Sequence, residues 1–413
     1  MEKQKNFKFI FVLGLLTSIG PFSVDMYLPA FNHIAVDLHT SISNVMYSLS
    51  TYFIGISFGQ LFYGPLLERY GRKKPIYVGL VIYLIACMGC VFAFSVDMLI
   101  VMRFFQAVGG CVGMVAARAM VRDIFPPAEF AKVFSSLMLI VAVSPILAPT
   151  FGGYVTASLG WHYVFVFLFL LVSAIFIAVY FMLPQTRKPD TQFSLRPLPI
   201  LKNYLGVLKN VQFISFALTG AISYSMVYTF ITGSPHVFMD MFQASEKTYG
   251  WIFAIVAAGL IASSQLNSFA LNKFQGKKIL RIAFSTQIAI GLIFVALASM
   301  EVLDMYSTIA IIFCFIFCQG FIFPNASAYA MAPFEKNAGS ASALLGFLQM
   351  MSGAASSALM GVFQWGSLVA MTIIMTSSTV IGFIIFNLGE RKIDQAASAA
   401  LVAEEDLEMI EGF

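Results

Sequence analysis

Apolar runs long enough to cross a bilayer recur twelve times along the chain. They fall at about residues 9–31, 44–66, 75–95, 98–119, 131–156 and 163–183, then 211–235, 249–270, 280–299, 305–331, 338–362 and 367–388. At a rise of 1.5 Å per residue each run spans roughly a 30 Å hydrocarbon core, where a helix satisfies its own backbone polar groups. The pattern predicts six helices, an interruption and six more. The interruption, Leu183 to Asn210, holds Pro184, Pro189, Pro197 and Pro199 among five basic residues, which is the composition of a linker. The expected fold class is an all-α membrane protein with twelve transmembrane helices in two six-helix bundles.

The polar positions between the runs set the orientation, because cytoplasmic loops carry the excess of Lys and Arg. With both termini cytoplasmic, every one of the 24 Lys and Arg residues except Lys247 and Arg103 falls on that side. The chain then divides into an N-terminal six-helix bundle (1–186), a cytoplasmic linker (187–209), a C-terminal six-helix bundle (210–392) and an acidic cytoplasmic tail (393–413). Lys3, Lys5 and Lys8 precede the first run in the manner of a secretory signal. That run continues to about Phe31 without a small-residue cleavage site, so it is read as a retained helix. The tail, with Glu404, Glu405, Asp406, Glu408 and Glu411, reads as a short acidic helix or a disordered end. The halves also echo each other. LERYGRKKPI (Leu67 to Ile76) recurs as LNKFQGKKIL (Leu271 to Leu280), a spacing near half the chain that fits either duplication or two independent basic loops.

Composition narrows the function. The chain is 59% hydrophobic and 11% charged with mean hydropathy +0.86, far from the roughly 25% charged residues of soluble domains. The net charge of +4 is the topology signal, so no nucleic-acid partner is expected. All five cysteines lie inside apolar runs and read as packing residues. His33, His39, His162 and His236 are scattered, and neither a nucleophile nor paired carboxylates stand near an interface. That argues against an enzyme, and the lack of repeated polar rings argues against a channel. No feature calls for a metal, nucleotide or prosthetic group. The partners expected are the lipid bilayer, a small-molecule substrate and protons, with the chain acting as a monomer.

One carboxylate is out of place. Asp25 lies inside the first run, at a cost of ~2.5 to 3.5 kcal/mol on insertion scales, so it should face a partner or a wet cavity. Arg103 is the one comparably placed cation. Asp25 lies about 25 Å from the inner end of its helix and Arg103 about 8 Å below the outer end of the fourth, so both fall in the outer half. Two readings stand open. Asp25 exchanges a proton while Arg103, directly or through water or Gln106, holds its ionised form; or the two form a static buried pair. Tyr27, Tyr52, Tyr224, Tyr228, Asn325 and Gln349 are the polar or amphipathic groups nominated to contact substrate; each is equally suited to anchor a helix at an interface or bond a neighbouring helix. The 43 Phe and 22 Met can line an adaptable apolar cavity.

Several segments resemble a known family. GPLLERYGRKK (Gly64 to Lys74) resembles the loop motif between helices two and three of the major facilitator superfamily, with Glu68 where Asp is more usual. RFFQAVGG (Arg103 to Gly110) resembles its fourth-helix motif. APTFGG (Ala148 to Gly153), which includes Pro149, Gly152 and Gly153, resembles its fifth-helix antiporter motif, with Ala148 and Ser144 replacing glycines. DMYLPA (Asp25 to Ala30), GSPHVF (Gly233 to Phe238), FPNASAYAM (Phe323 to Met331) and AGSASALLGFLQ (Ala338 to Gln349) together resemble the Bcr/CflA drug-resistance branch.

The resemblance implies the major facilitator fold, drug:proton antiport driven by the proton gradient, and a bacterial inner-membrane location. It also implies a central cavity lined mainly by helices one, four, seven and ten. Gly64, Glu68, Arg69, Gly71 and Arg72 would form a cytoplasmic latch, Arg72 pairing with Glu68 or Asp123 in the outward-facing state. The function expected is proton-coupled efflux of small, partly lipophilic compounds such as antibiotics. Export of an endogenous metabolite or siderophore is the alternative, and proton-symport uptake a weaker one.

Overall fold

A computed structural model describes the backbone of residues 2–125, 127–190, 195–334, 338–363 and 368–411. Side chains are described for these residues apart from 2–7, most of 127–142 and 396–411. The described residues are helical and contain no strand.

The N-terminal half comprises α1 (Glu2–Asp25) with its short continuation α2 (Phe31–Asp37), α3 (Ile42–Arg69), α4 (Lys73–Val91), α5 (Val96–Ile124), α6 (Pro127–Leu159) and α7 (His162–Met182). A connecting helix α8 (Pro197–Leu208) leads to α9 (Val211–Pro235), α10 (Glu246–Ala270), α11 (Gly276–Ser299), α12 (Met305–Met331), α13 (Ala338–Val362) and α14 (Leu368–Glu411). Ten helices among the described residues are long and apolar enough to cross a membrane. With α3, diluted by serine, tyrosine and glutamine, and α6 they make the twelve. Side chains at the entry points bond the first free backbone N–H groups: Ser41 caps α3, Ser95 caps α5, Asn210 caps α9, Ser245 caps α10, and Asp304 forms a reciprocal capping box with Ser307 on α12.

Three boundaries depart from the sequence reading. The linker contains α8, with Pro197 in its first turn, where the missing N–H costs nothing. Tyr204 of α8 donates to the Leu61 carbonyl at 2.9 Å while α8 also packs on α13, so the connection straddles both halves. Of the two readings of the tail the helix is found, but it starts without a break from the last span: α14 continues to Glu411. Helix α5 runs on to Ile124, past the expected end at 119, because no glycine or proline intervenes. Arg118, counted on the cytoplasmic side from the end of the expected run, is a helix residue that reaches the other half.

The two halves meet along α3 against α13 and α6 against α10. Glycines let these helices cross backbone to backbone. A Cβ on Gly250 of α10 would stand 2.6 Å from the Thr150 Cα of α6.

Candidate functional site

Helix α1 breaks at the out-of-place carboxylate. Pro29 cannot donate a backbone N–H, and its ring clashes with the carbonyl four residues back, which belongs to Asp25. The chain turns at Met26 and Tyr27 and continues through a 3-10 turn, Leu28–Ala30, into α2. In the other half α9 ends at Pro235 and passes into a π-helical turn, His236–Met241. Corresponding spans of the two halves are thus interrupted at similar places, the arrangement found around transport sites.

Asp25 is 5% exposed and lies within electrostatic reach of Tyr224, Tyr228 and Tyr249, all in the C-terminal half. Among the described residues it forms no ion pair. Arg103, which the sequence brought to the same depth, faces elsewhere. Its guanidinium is fully buried in the N-terminal half, 4.1 Å from the Tyr52 ring, 4.6 Å from Tyr27 and 5.9 Å from Phe165. Its Nη1 donates to Gln106 Oε1 at 2.6 Å, whereas Nε and Nη2 have no hydrogen-bond acceptor among the described residues. Asp25 is the last residue of α1 and Tyr27 lies in the turn beyond it, so Tyr27 covers Arg103 while Asp25 remains within reach of the tyrosines of the opposite half.

The nominated tyrosines divide the same way. Tyr27 donates or accepts at Ser48 Oγ over 2.8 Å, and with Tyr52 it walls the arginine site. Tyr224 and Tyr228 of α9 form an aromatic group at the seam, 5.3 Å apart, with Phe323 4.7 Å from Tyr224 and Phe53 of the N-terminal half 4.8 Å from Tyr228. Gln349 stands beside Tyr228, whose hydroxyl reaches Met350 Sδ at 3.7 Å. Asn325 stands apart: its Nδ2 donates to Asn267 Oδ1 at 2.7 Å and to the Phe321 carbonyl at 2.8 Å, tying α12 to α10. The structure therefore brings Asp25, Tyr224, Tyr228 and Gln349 together and separates them from Arg103, Gln106, Tyr27 and Tyr52, and from Asn325.

Beyond the α1 break, at the end opposite the termini, the halves are clasped. Asn32 Nδ2 bonds Asp240 Oδ1, Asp240 Oδ2 bonds His236 Nδ1 at 2.6 Å, and His33 Nε2 meets Glu246 Oε1 at 2.9 Å. Lys247 Nζ lies 5.0 Å from the centre of the Tyr154 ring. The histidines that looked scattered in sequence supply two members of this clasp; only the topology, which carries both interrupted spans to one end, reveals it. The fifth-helix motif lies alongside. Pro149 is buried within α6, a Cβ on Gly152 would stand 2.2 Å from the Met26 carbonyl oxygen, and one on Gly153 would stand 2.4 Å from the Glu246 carbonyl oxygen. One glycine thus presses on the α1 break and the next on the other half.

At the end carrying the termini, Arg72 Nε and Nη2 donate to Asp123 at 2.8 and 3.0 Å, and Nη1 donates to Glu68 at 3.2 Å. Burial alone would lower the Arg72 pKa, but the bonds to Asp123 and Glu68 outweigh it and hold the group above its ordinary value. Arg187 meets Glu68 at 2.8 Å, and Thr186 donates to Asp123 at 2.7 Å. Gly71 has φ of +75°, and a Cβ there would collide with the Gln185 side chain at 2.1 Å. Arg69 ends α3, and Gly64 borders open space. The pairing expected of an outward-facing arrangement stands here with the far end closed. All its members belong to the N-terminal half, so it needs no movement of the other. Arg118 does reach across: its Nη1 donates to Ser342 of α13 at 3.2 Å, and its buried Nε has no acceptor among the described residues.

The family model described as Major Facilitator Superfamily matches residues 13–358. The chain is 29% identical to a bicyclomycin resistance protein homolog of Haemophilus influenzae, over 94% of this chain and 97% of that one. It is also 29% identical to the multidrug resistance protein MdtL of Citrobacter koseri, over 83% and 86% of the two chains. A solved D-xylose-proton symporter, 13% identical, superposes with a TM-score of 0.72 over 93% of this chain and 96% of that one, which speaks to the fold alone. With two six-helix halves meeting at paired helix breaks, and with these matches along nearly its whole length, the chain belongs to the major facilitator superfamily.

Proposed function

We propose that this transporter exports small, partly lipophilic compounds, antibiotics among them, in exchange for protons across the bacterial inner membrane, with both termini cytoplasmic. The observation that carries the reading is Asp25: a carboxyl at the seam, ending a broken helix, facing tyrosines of the other half, with no ion pair among the described residues. An anion there stands at the negative end of the α1 dipole in a low-dielectric setting, so a proton is the natural neutraliser. Movement of one half against the other changes what Asp25 faces and so when it holds that proton. The bicyclomycin-resistance and multidrug-resistance names of the relatives supply the cargo class. Arg103 enters this reading as an organiser of the N-terminal half rather than a direct partner of Asp25.

The test is accumulation of a broad compound panel in pump-deficient bacteria expressing the chain or its Asp25→Asn variant, with and without a protonophore. Exclusion of a compound only by the unmutated protein in energised cells is the expected result. Full proton-driven export by Asp25→Asn would remove the coupling role. Exclusion of no compound despite membrane expression would turn the search toward endogenous metabolites.

A further inference from the structure

On the outer face of the N-terminal half, away from the seam tyrosines, α3 and α4 both pack on α5 but scarcely touch each other. Between them runs a groove of about 920 Å³ with α5 as its floor. Phe58 and Phe62 of α3, Val78 of α4 and Phe105 of α5 line it, all exposed; Phe62 is 63% and Val78 59% accessible. Lys74, in the first turn of α4, is the one charged residue in the lining and stands with Tyr70 at the end nearest the termini.

The groove is open toward the bilayer. From Phe58 to Tyr70 it follows α3 for about 18 Å, a little more than half of a ~30 Å hydrocarbon core, so it has the reach of one leaflet. Its charge is uncompensated from the protein side. Lys74 has no ion pair among the described residues, and the nearby Glu68 and Asp123 are engaged: Glu68 with Arg72 and Arg187, Asp123 with Arg72. The adjacent Lys73 is turned away, its Nζ on the Tyr180 carbonyl at 3.2 Å. A single free ammonium at headgroup depth above an apolar, leaflet-length channel is complementary to a lipid with an anionic headgroup.

We propose that this groove binds one anionic phospholipid of the leaflet on the terminus side, acyl chains between α3 and α4 and phosphate on Lys74. The site adjoins both moving parts of the protein. Its mouth is next to the Arg72 loop, and at its deep end Phe58 packs edge-on against Phe347 of α13 with ring centres 6.2 Å apart. A lipid seated there touches the boundary between the halves, so its occupancy biases their arrangement.

The test places a reporter in the groove of the full-length protein. Phe62→Trp is reconstituted in nanodiscs containing equal fractions of brominated phosphatidylglycerol or brominated phosphatidylcholine, and quenching is measured against the unsubstituted protein. The expected result is about a fivefold preference for the anionic lipid, the worth of one lysine near a charged headgroup. Lys74→Gln brings the ratio close to one, and Lys74→Arg retains it. Equal quenching by the two lipids, or a preference that survives Lys74→Gln, overturns the proposal. Relief of phosphatidylglycerol quenching by an added exported compound also overturns it, making the groove a cargo site instead.

Discussion

Gly153→Ala tests how the halves are held together. The added Cβ would stand 2.4 Å from the Glu246 carbonyl oxygen and 3.0 Å from its carbon, and both are backbone atoms of the opposite half. Neither can rotate away, so α6 and α10 must separate. Overpacking of this kind costs ~1 to 3 kcal/mol. The cost falls only on the arrangement in which α6 meets α10, so the equilibrium shifts toward an open far end by about 5- to 150-fold. Spin labels introduced as unnatural amino acids at Val36 of α2 and Val302, just beyond α11, leave the cysteines untouched. Both positions are well exposed, at 76% and 60%. The parent protein should give one short distance and Gly153→Ala an added longer population. Gly152→Ala is the control: its Cβ meets Met26 within the same half, so it should lower thermal stability without moving the distribution. An unchanged distribution in folded Gly153→Ala, or an equal shift in Gly152→Ala, would refute the reasoning.

Three further outcomes are expected. Asp123→Asn weakens the buried Arg72 pair and, with Glu68 left as a partner, should cost at most the ~3 to 5 kcal/mol typical of stranding a buried charge, read as a lowered Tm in detergent. Asn325→Leu orphans Asn267 and should cost ~1 to 3 kcal/mol while leaving the KM for export unchanged; altered cargo preference at unaltered Tm would instead place Asn325 on the substrate path. Tyr52→Leu removes the ring nearest Arg103 and should destabilise by about 2 kcal/mol, with Tyr52→Phe retaining most of the stability; equal Tm values for Leu and Phe would show that the cation–π contact contributes nothing.

Much of the fold was legible because a bilayer imposes a length and a polarity on every segment that crosses it. The twelve runs, the division into halves and the anomaly of Asp25 are one-dimensional facts, read by counting. The motif around Gly71 was legible as a family resemblance, whereas its left-handed backbone came only from the structure. Helix ends were less so: α5 overran its expected end at 119 and continues to Ile124, because hydropathy falls before helical hydrogen bonding does.

Direction was not legible. Depth along a helix follows from residue number, but the side a residue faces depends on rotation, on helix breaks and on the neighbour that covers it. Asp25 and Arg103 share a depth and still face different compartments, because Pro29 interrupts α1 and Tyr27 turns inward over the guanidinium. His33 and Glu246, more than half the chain apart, become partners only when the two interrupted spans are folded to the same end. By itself the sequence determined which segments enter the bilayer and which residues are too polar to be there without a reason. The tertiary structure alone decided what those residues face, since that depends on packing between helices that no local pattern encodes.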